Sequence, residues 1–127
     1  MNWESLIDSA VAARKCAYAP YSEYRVGAAV LGMDGKIYSG CNVENASYGL
    51  TICAERNAIF SMVSAGCTKL NACVVVTEDG KPPCGACLQV MSEFVRDSED
   101  VRVLTVDAND NRVERLFSKL LPSAFKR

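Results

Sequence analysis

The chain has 127 residues, half of them hydrophobic and 23% charged, and its 14 basic and 15 acidic side chains leave a net charge of −1. This is the composition of one folded domain with a single core, spanning residues 1–127, and not of a disordered segment. Charges of both signs are mixed along the chain with no basic stripe, which argues against a nucleic-acid polymer as partner, and no apolar run reaches the roughly 18 residues of a membrane span.

From Asn2 to about Tyr18, apolar residues Leu6, Ile7, Ala10 and Val11 recur at near-helical spacing, with Asn2 as a candidate N-cap and "APYS" as the stop. "YRVGAAVL" and "KIYSGCNV" flank Asp34-Gly35, a turn signal that predicts a β-hairpin. "NASYGL" reads as a loop. A helix is expected from about Ala54 to Ala65, closed by Gly66. "ACVVVT" predicts a strand buried on both faces, "EDGKPP" a loop, and a further helix runs from near Cys84 to about Val95. "VRVLTVD" is a second buried strand. After the "ANDN" turn, "RVERLFSKLLPSAF" holds a short strand or a helix before an irregular tail. Strands separated by helices predict a partly parallel sheet with helices packed against it.

Seven cysteines stand beside no histidine at all. The N-terminal "MNWESLIDSA" lacks the basic and apolar regions of a secretory leader, so the expected compartment is the reducing cytoplasm, where clustered cysteines point to metal more than to disulfides. Cys84 and Cys87 form Cys-x-x-Cys just after Pro82-Pro83, and prolines favour the entry to a helix. Residues three apart share a helical face, so both sulfurs can meet at one spot. Cys53 opens the other helix. Three thiolates at two helix N-termini make a tripod for zinc with one tetrahedral position left over, and the helix dipoles stabilise the thiolates.

Cys-x-x-Cys also serves structural zinc sites, for which Cys41, Cys67 or Cys73 could supply the fourth ligand, and redox pairs, which have no use for Cys53. Glu55 shifts the balance. Two residues from Cys53, it can take a proton from a metal-activated water without being a ligand. Taken alone it would be a first-turn acid that favours the helix dipole.

Cys-x-Glu followed by Pro-Cys-x-x-Cys is the signature of the zinc nucleobase deaminases in its three-cysteine form. Over nearly its whole length the chain resembles the small homotetrameric cytidine deaminases: "YSEYRVGAAV", "GCNVENASYGLTICAERNAIF", "PPCGACLQV" and "LLPSAF" occur in the family's order and spacing. The resemblance implies an α/β fold of three layers, a mixed sheet of about five strands packed between helices. It implies hydrolysis of the 4-amino group of cytidine and deoxycytidine, giving uridine or deoxyuridine and ammonia, in pyrimidine salvage. One zinc per chain would be held by Cys53, Cys84 and Cys87, with Glu55 as the proton shuttle. Arg56, on Cys53's face of the helix, would withdraw charge from sulfur.

The same resemblance assigns the substrate contacts. Asn42 and Glu44 would hold the ribose 3′-hydroxyl as donor and acceptor. Tyr24 stands where the family usually carries a phenylalanine that stacks on the pyrimidine, and Ala54 would offer backbone groups to the base. Ala46 and Tyr48 match the loop at the sugar end, and Phe125 matches an aromatic contributed to the pocket of its own or a neighbouring subunit. The implied assembly is a homotetramer with shared pockets, whose partner is a small nucleoside. Two positions depart from the pattern: Arg25 replaces the usual proline and Leu88 the usual arginine, which leaves substrate range and rate open. The rivals are a deaminase of a nucleoside antibiotic such as blasticidin S and, outside enzymes, a structural zinc module with a fourth protein ligand. Editing of RNA or DNA is disfavoured by the charge balance.

Overall fold

The computed structural model describes residues 2–95 and 100–127. The first helix, α1, runs Glu4–Lys15, inside the expected span. Asn2 supplies the capping oxygen, accepting the Glu4 amide at 3.1 Å. The hairpin follows as β1 (Gly27–Gly32) and β2 (Ile37–Cys41), antiparallel, with Val30 opposite Tyr38. Its turn needs Gly35, whose φ of 80° side-chain-bearing residues rarely adopt. The loop after β2 contains one 3₁₀ turn, Tyr48–Leu50. Helix α2 (Ala54–Ser64) then leads through Gly66, again at positive φ, to β3 (Leu70–Val76).

Helix α3 covers Gly85–Ser92, so it stops three residues short of the expected Val95. β4 (Arg102–Val106) lies parallel to β3, and the segment read as strand or helix contains both, as β5 (Arg112–Leu116) and the single turn α4 (Phe117–Leu120). The five strands order as β2-β1-β3-β4-β5, with β3–β4 the parallel pair and the other three pairings antiparallel. The expected mixed sheet between helices is what forms.

Side-chain alternation on the central strands builds a core on each face. Ala72, Val74 and Val76 of β3 pack with Leu6, Ile7 and Ala10 of α1. Cys73 and Val75 face the opposite way, against Ala54, Ala58, Ile59 and Met62 of α2 and Leu88 and Met91 of α3. Val11 falls off the buried stripe of α1 and stays partly exposed.

Two glycines set how close the helices come to the sheet. A Cβ on Gly27 would lie 2.0 Å from the Ala10 carbonyl oxygen, so α1 sits directly on β1. On the other face, a Cβ on Gly40 would lie 2.5 Å from the Ala58 amide and 2.8 Å from the Ala54 carbonyl oxygen. The backbone of β2 therefore locates the first turns of α2, and with them everything that helix carries at its N-terminus.

Candidate functional site

Cys53 and Cys84 occupy equivalent places, each the extended residue that precedes a helix, α2 and α3 respectively. Cys87 lies in the first turn of α3. The three sulfurs lie within 4.8 Å of one another, and those of Cys84 and Cys87 are 3.5 Å apart. Zinc–sulfur bonds of about 2.3 Å in a tetrahedron put sulfurs roughly 3.8 Å apart, so both the spacing and the soft donor set fit zinc. Burial is graded: Cys87 is buried, Cys53 partly so, and Cys84 is exposed.

Among the described residues this is the one group of three or more potential ligands so clustered, and Cys41, Cys67 and Cys73 stand outside it. The Cys67 thiol donates to the Lys69 carbonyl at 3.3 Å, and burial on β3 pushes the Cys73 thiol up. The reading that required one of them as a fourth ligand has no such ligand among these residues.

Arg56 touches the cluster directly, its Nη2 donating to the Cys53 sulfur at 3.2 Å. A hydrogen bond from Cys87, opposed by burial and reinforced by Arg56, holds the Cys53 thiol well below its ordinary value. The same hydrogen bond, together with burial, pushes Cys87 up. Of the pair, Cys53 is the first to carry charge, because the guanidinium stands beside it. Arg56 Nε is buried without a hydrogen-bond partner. Leu88 turns away from the sulfurs into the core shared with α2, so position 88 gives the site no charge.

Glu55 follows Cys53 by two residues and is only 5% exposed. Burial pushes its carboxyl up to about 7, and the negative charge on Cys53 acts in the same direction. A carboxyl titrating there can both take up and release a proton near neutral pH.

These groups open into a cavity of about 1020 Å³. Its wall includes Cys53, Cys84, Glu55, Arg56 and Ala54 together with Asn42, Glu44, Ala46 and Tyr48, and also Tyr24, Val26, Val75 and Thr77. Ten of the residues singled out from sequence thus meet around one space, and Cys87 is buried beside it. Phe125 does not line the cavity of its own chain. It is 72% exposed, and its backbone exchanges hydrogen bonds with the Gln89 side chain at 3.2 and 3.0 Å.

Asn42 and Glu44 are held in place by the segment opposite. Asn42 Oδ1 accepts the Val26 amide at 2.9 Å while its Nδ2 donates to the Tyr24 carbonyl at 2.8 Å. Each polar atom keeps one free position, so the amide can still present a donor and an acceptor to the cavity. Glu44 accepts the amides of Tyr21 and Ser22 at 3.0 and 3.1 Å and the Ser22 hydroxyl, and that hydroxyl keeps the carboxyl below its usual range. Sequence reasoning missed Tyr21, Ser22, Thr77 and Lys81 in this wall. "YSEY" offered Ser22, but no local spacing links it to a glutamate 22 residues on.

The model of the family described as the cytidine and deoxycytidylate deaminase zinc-binding region matches residues 1–104. A curated cytidine deaminase from Sporosarcina psychrophila is 45% identical over 129 residues, covering 100% of this chain and 93% of its own. Another, from Halalkalibacterium halodurans, is 46% identical and covers 98% of this chain and 95% of its own. Among solved structures, a cytidine deaminase from Burkholderia pseudomallei superposes with a TM-score of 0.90 at 46% identity, over 98% of this chain and 100% of that one. One from Mycobacterium tuberculosis gives 0.83 at 39% identity, over 100% and 99%.

Proposed function

The chain belongs to the cytidine deaminase family, and we propose that it hydrolyses cytidine and deoxycytidine to uridine and deoxyuridine with release of ammonia. One observation carries this reading. Three thiols that fit zinc and a buried carboxyl near neutrality gather at a cavity roomy enough for a nucleoside, and an amide–carboxylate pair lines the same cavity. Residues 1–127 serve as one catalytic domain.

Cys53, Cys84 and Cys87 would hold one zinc per chain, and zinc, when bound, supplies a Lewis acid that makes water a nucleophile at neutral pH. Glu55 takes the proton from the attacking water and passes it to the ring nitrogen beside C4. It then takes the second proton of that water, now the hydroxyl on C4, and delivers it to the exocyclic nitrogen. The C4–N bond breaks, C4=O forms and ammonia leaves, so one water is consumed for each ammonia released. Arg56 draws charge from the Cys53 sulfur and offsets the surplus of three thiolates. Asn42 and Glu44 hold the sugar hydroxyls, Ala46 and Tyr48 close that end, Tyr24 faces the base, and the Ala54 backbone meets its polar edge.

Exposed apolar side chains cluster on the loops beside the cavity, with Tyr21 63%, Tyr48 92% and Leu50 66% exposed. Together with Phe125 they support a homotetramer in which neighbours complete each other's pockets. A small nucleoside as substrate, a place in pyrimidine salvage and a cytoplasmic location complete the reading. No helix among the described residues is long and apolar enough to cross a membrane. The test is the loss of cytidine absorbance with purified protein, before and after a zinc chelator and after zinc is restored. Ammonia release from cytidine that the chelator abolishes and zinc restores is the expected result. Turnover of blasticidin S without turnover of cytidine would assign the site to the antibiotic instead.

A further inference from the structure

The Tyr24 hydroxyl donates to Asp79 Oδ1 at 2.6 Å, joining segments 55 residues apart. Asp79 does not itself line the cavity, but the residues around it do: Thr77, Lys81 and Pro82 form that part of the wall. The turn is built on two side chains. Thr77 Oγ1 accepts the Gly80 amide at 2.7 Å, and Asp79 accepts the Lys81 amide at 3.4 Å, while Lys81 Nζ stands 3.6 Å from its other oxygen. Gly80 takes a φ of 74°, which lets the chain turn there. Pro82 and Pro83 then stiffen the short run to Cys84.

Tyr24 is fixed at its other end too. Its amide donates to Ser22 Oγ at 3.0 Å, and its carbonyl accepts Asn42 Nδ2 at 2.8 Å. The tyrosine thus bridges the part of the wall that carries Asn42 and Glu44 and the turn that leads to Cys84. Resting on the nucleoside reading above, we propose that Asp79 is a positioning residue: its hydrogen bond with Tyr24 is a clasp that fixes the ring offered to the pyrimidine and holds the Thr77–Pro82 wall against it. Loss of the clasp should weaken nucleoside binding and leave the metal end intact, because the sulfurs and Glu55 are held by α2 and α3 and not by Asp79.

Tyr24→Phe tests this while keeping the ring and removing the hydroxyl; Asp79→Ala removes the acceptor, and Asp79→Asn keeps an acceptor oxygen. Tyr24→Phe and Asp79→Ala should each raise KM for cytidine about three- to tenfold, with kcat within about twofold and zinc content unchanged. Asp79→Asn should recover most of the loss, and the Tyr24→Phe/Asp79→Ala double variant should be no worse than the worse single. Without substrate, amide hydrogen exchange at Gly80 and Lys81 should quicken at least about threefold in both single variants. Multiplicative effects on KM, or unchanged KM and exchange in Tyr24→Phe, would overturn the clasp. If the zinc-loaded unsubstituted protein leaves cytidine untouched, it is the nucleoside reading that fails. Exchange in Tyr24→Phe then decides the clasp alone, faster exchange upholding it and unchanged exchange ending it.

Discussion

Nη2 of Arg56 lies 3.2 Å from the sulfur of Cys53, one helical turn away at the start of α2. Three thiolates around a dication sum to a formal charge of −1, and this guanidinium restores neutrality beside Cys53, the partly buried member of the three. Leu88 faces the core and gives no help. Arg56→Gln should therefore weaken zinc retention by about ten- to a hundredfold, the usual cost of losing a group that supports a metal ligand. Competition against a chromophoric chelator measures it. Arg56→Lys should fall between, since an ammonium keeps the charge but not the planar fork. Equal zinc retention in all three proteins would show that the contact does not act on the metal.

Glu55→Gln should keep fold and zinc and lose turnover by about two to four powers of ten, because it removes a single acid–base group while preserving shape. The amide also replaces a buried carboxyl that is partly ionised at neutral pH, at a desolvation cost, so thermal stability above neutral pH should hold or rise slightly. Metal analysis and the cytidine assay on one preparation check both halves. Full zinc with turnover intact would remove Glu55 from the mechanism.

How much of this was readable in advance depends on the range of the interactions. Cys84 and Cys87 are three residues apart on a helix whose entry two prolines mark, so local spacing alone predicts that their sulfurs meet. The Asp34-Gly35 hairpin, the valine-rich strands and the Gly66 helix stop are equally local. That Cys53 joins Cys84 is not local: two cysteines at helix starts suggest it, and the resemblance to a family adds the support that spacing cannot. Asp79 left no signal at all: its partner lies 55 residues back, and an aspartate before glycine reads simply as a turn. The end of α3 was misjudged because "SEFV" continues the apolar pattern, whereas the backbone leaves the helix at Glu93.

Gly40 tests whether the sheet positions the metal end. A Cβ there would meet the backbone of α2 at 2.5 Å, and backbone cannot rotate aside as a side chain can. Gly40→Ala should cost about 1–3 kcal/mol or more of stability and push the N-terminus of α2 off the sheet. Cys53 and Glu55 would move with it, so zinc content and kcat should fall together. Gly49→Ala is the control, since a Cβ there meets nothing within 4 Å and its effect on stability should stay within about 0.5 kcal/mol. Normal melting temperature and full zinc in Gly40→Ala would mean that α2 is placed by other contacts.

Phe125 is 72% exposed and stands apart from its own chain's cavity, yet Gln89 and Lys126 tie the backbone around it to α3. A large aromatic held out by an ordered tail is what a pocket shared between subunits requires, because ordering the tail beforehand lowers the entropy lost on contact. If Phe125 reaches a neighbour's cavity, Phe125→Ala should raise KM for cytidine about tenfold or more while zinc stays bound. Dilution toward monomer should reduce specific activity in step with mass, and light scattering beside the assay follows both. Mixing supplies a sharper check. An excess of Glu55→Gln chains, which lack the proton shuttle but carry Phe125, should restore KM toward the unsubstituted value when they co-assemble with Phe125→Ala chains. A fully active monomer, or a Phe125→Ala protein with unchanged KM, would show that each chain completes its own pocket.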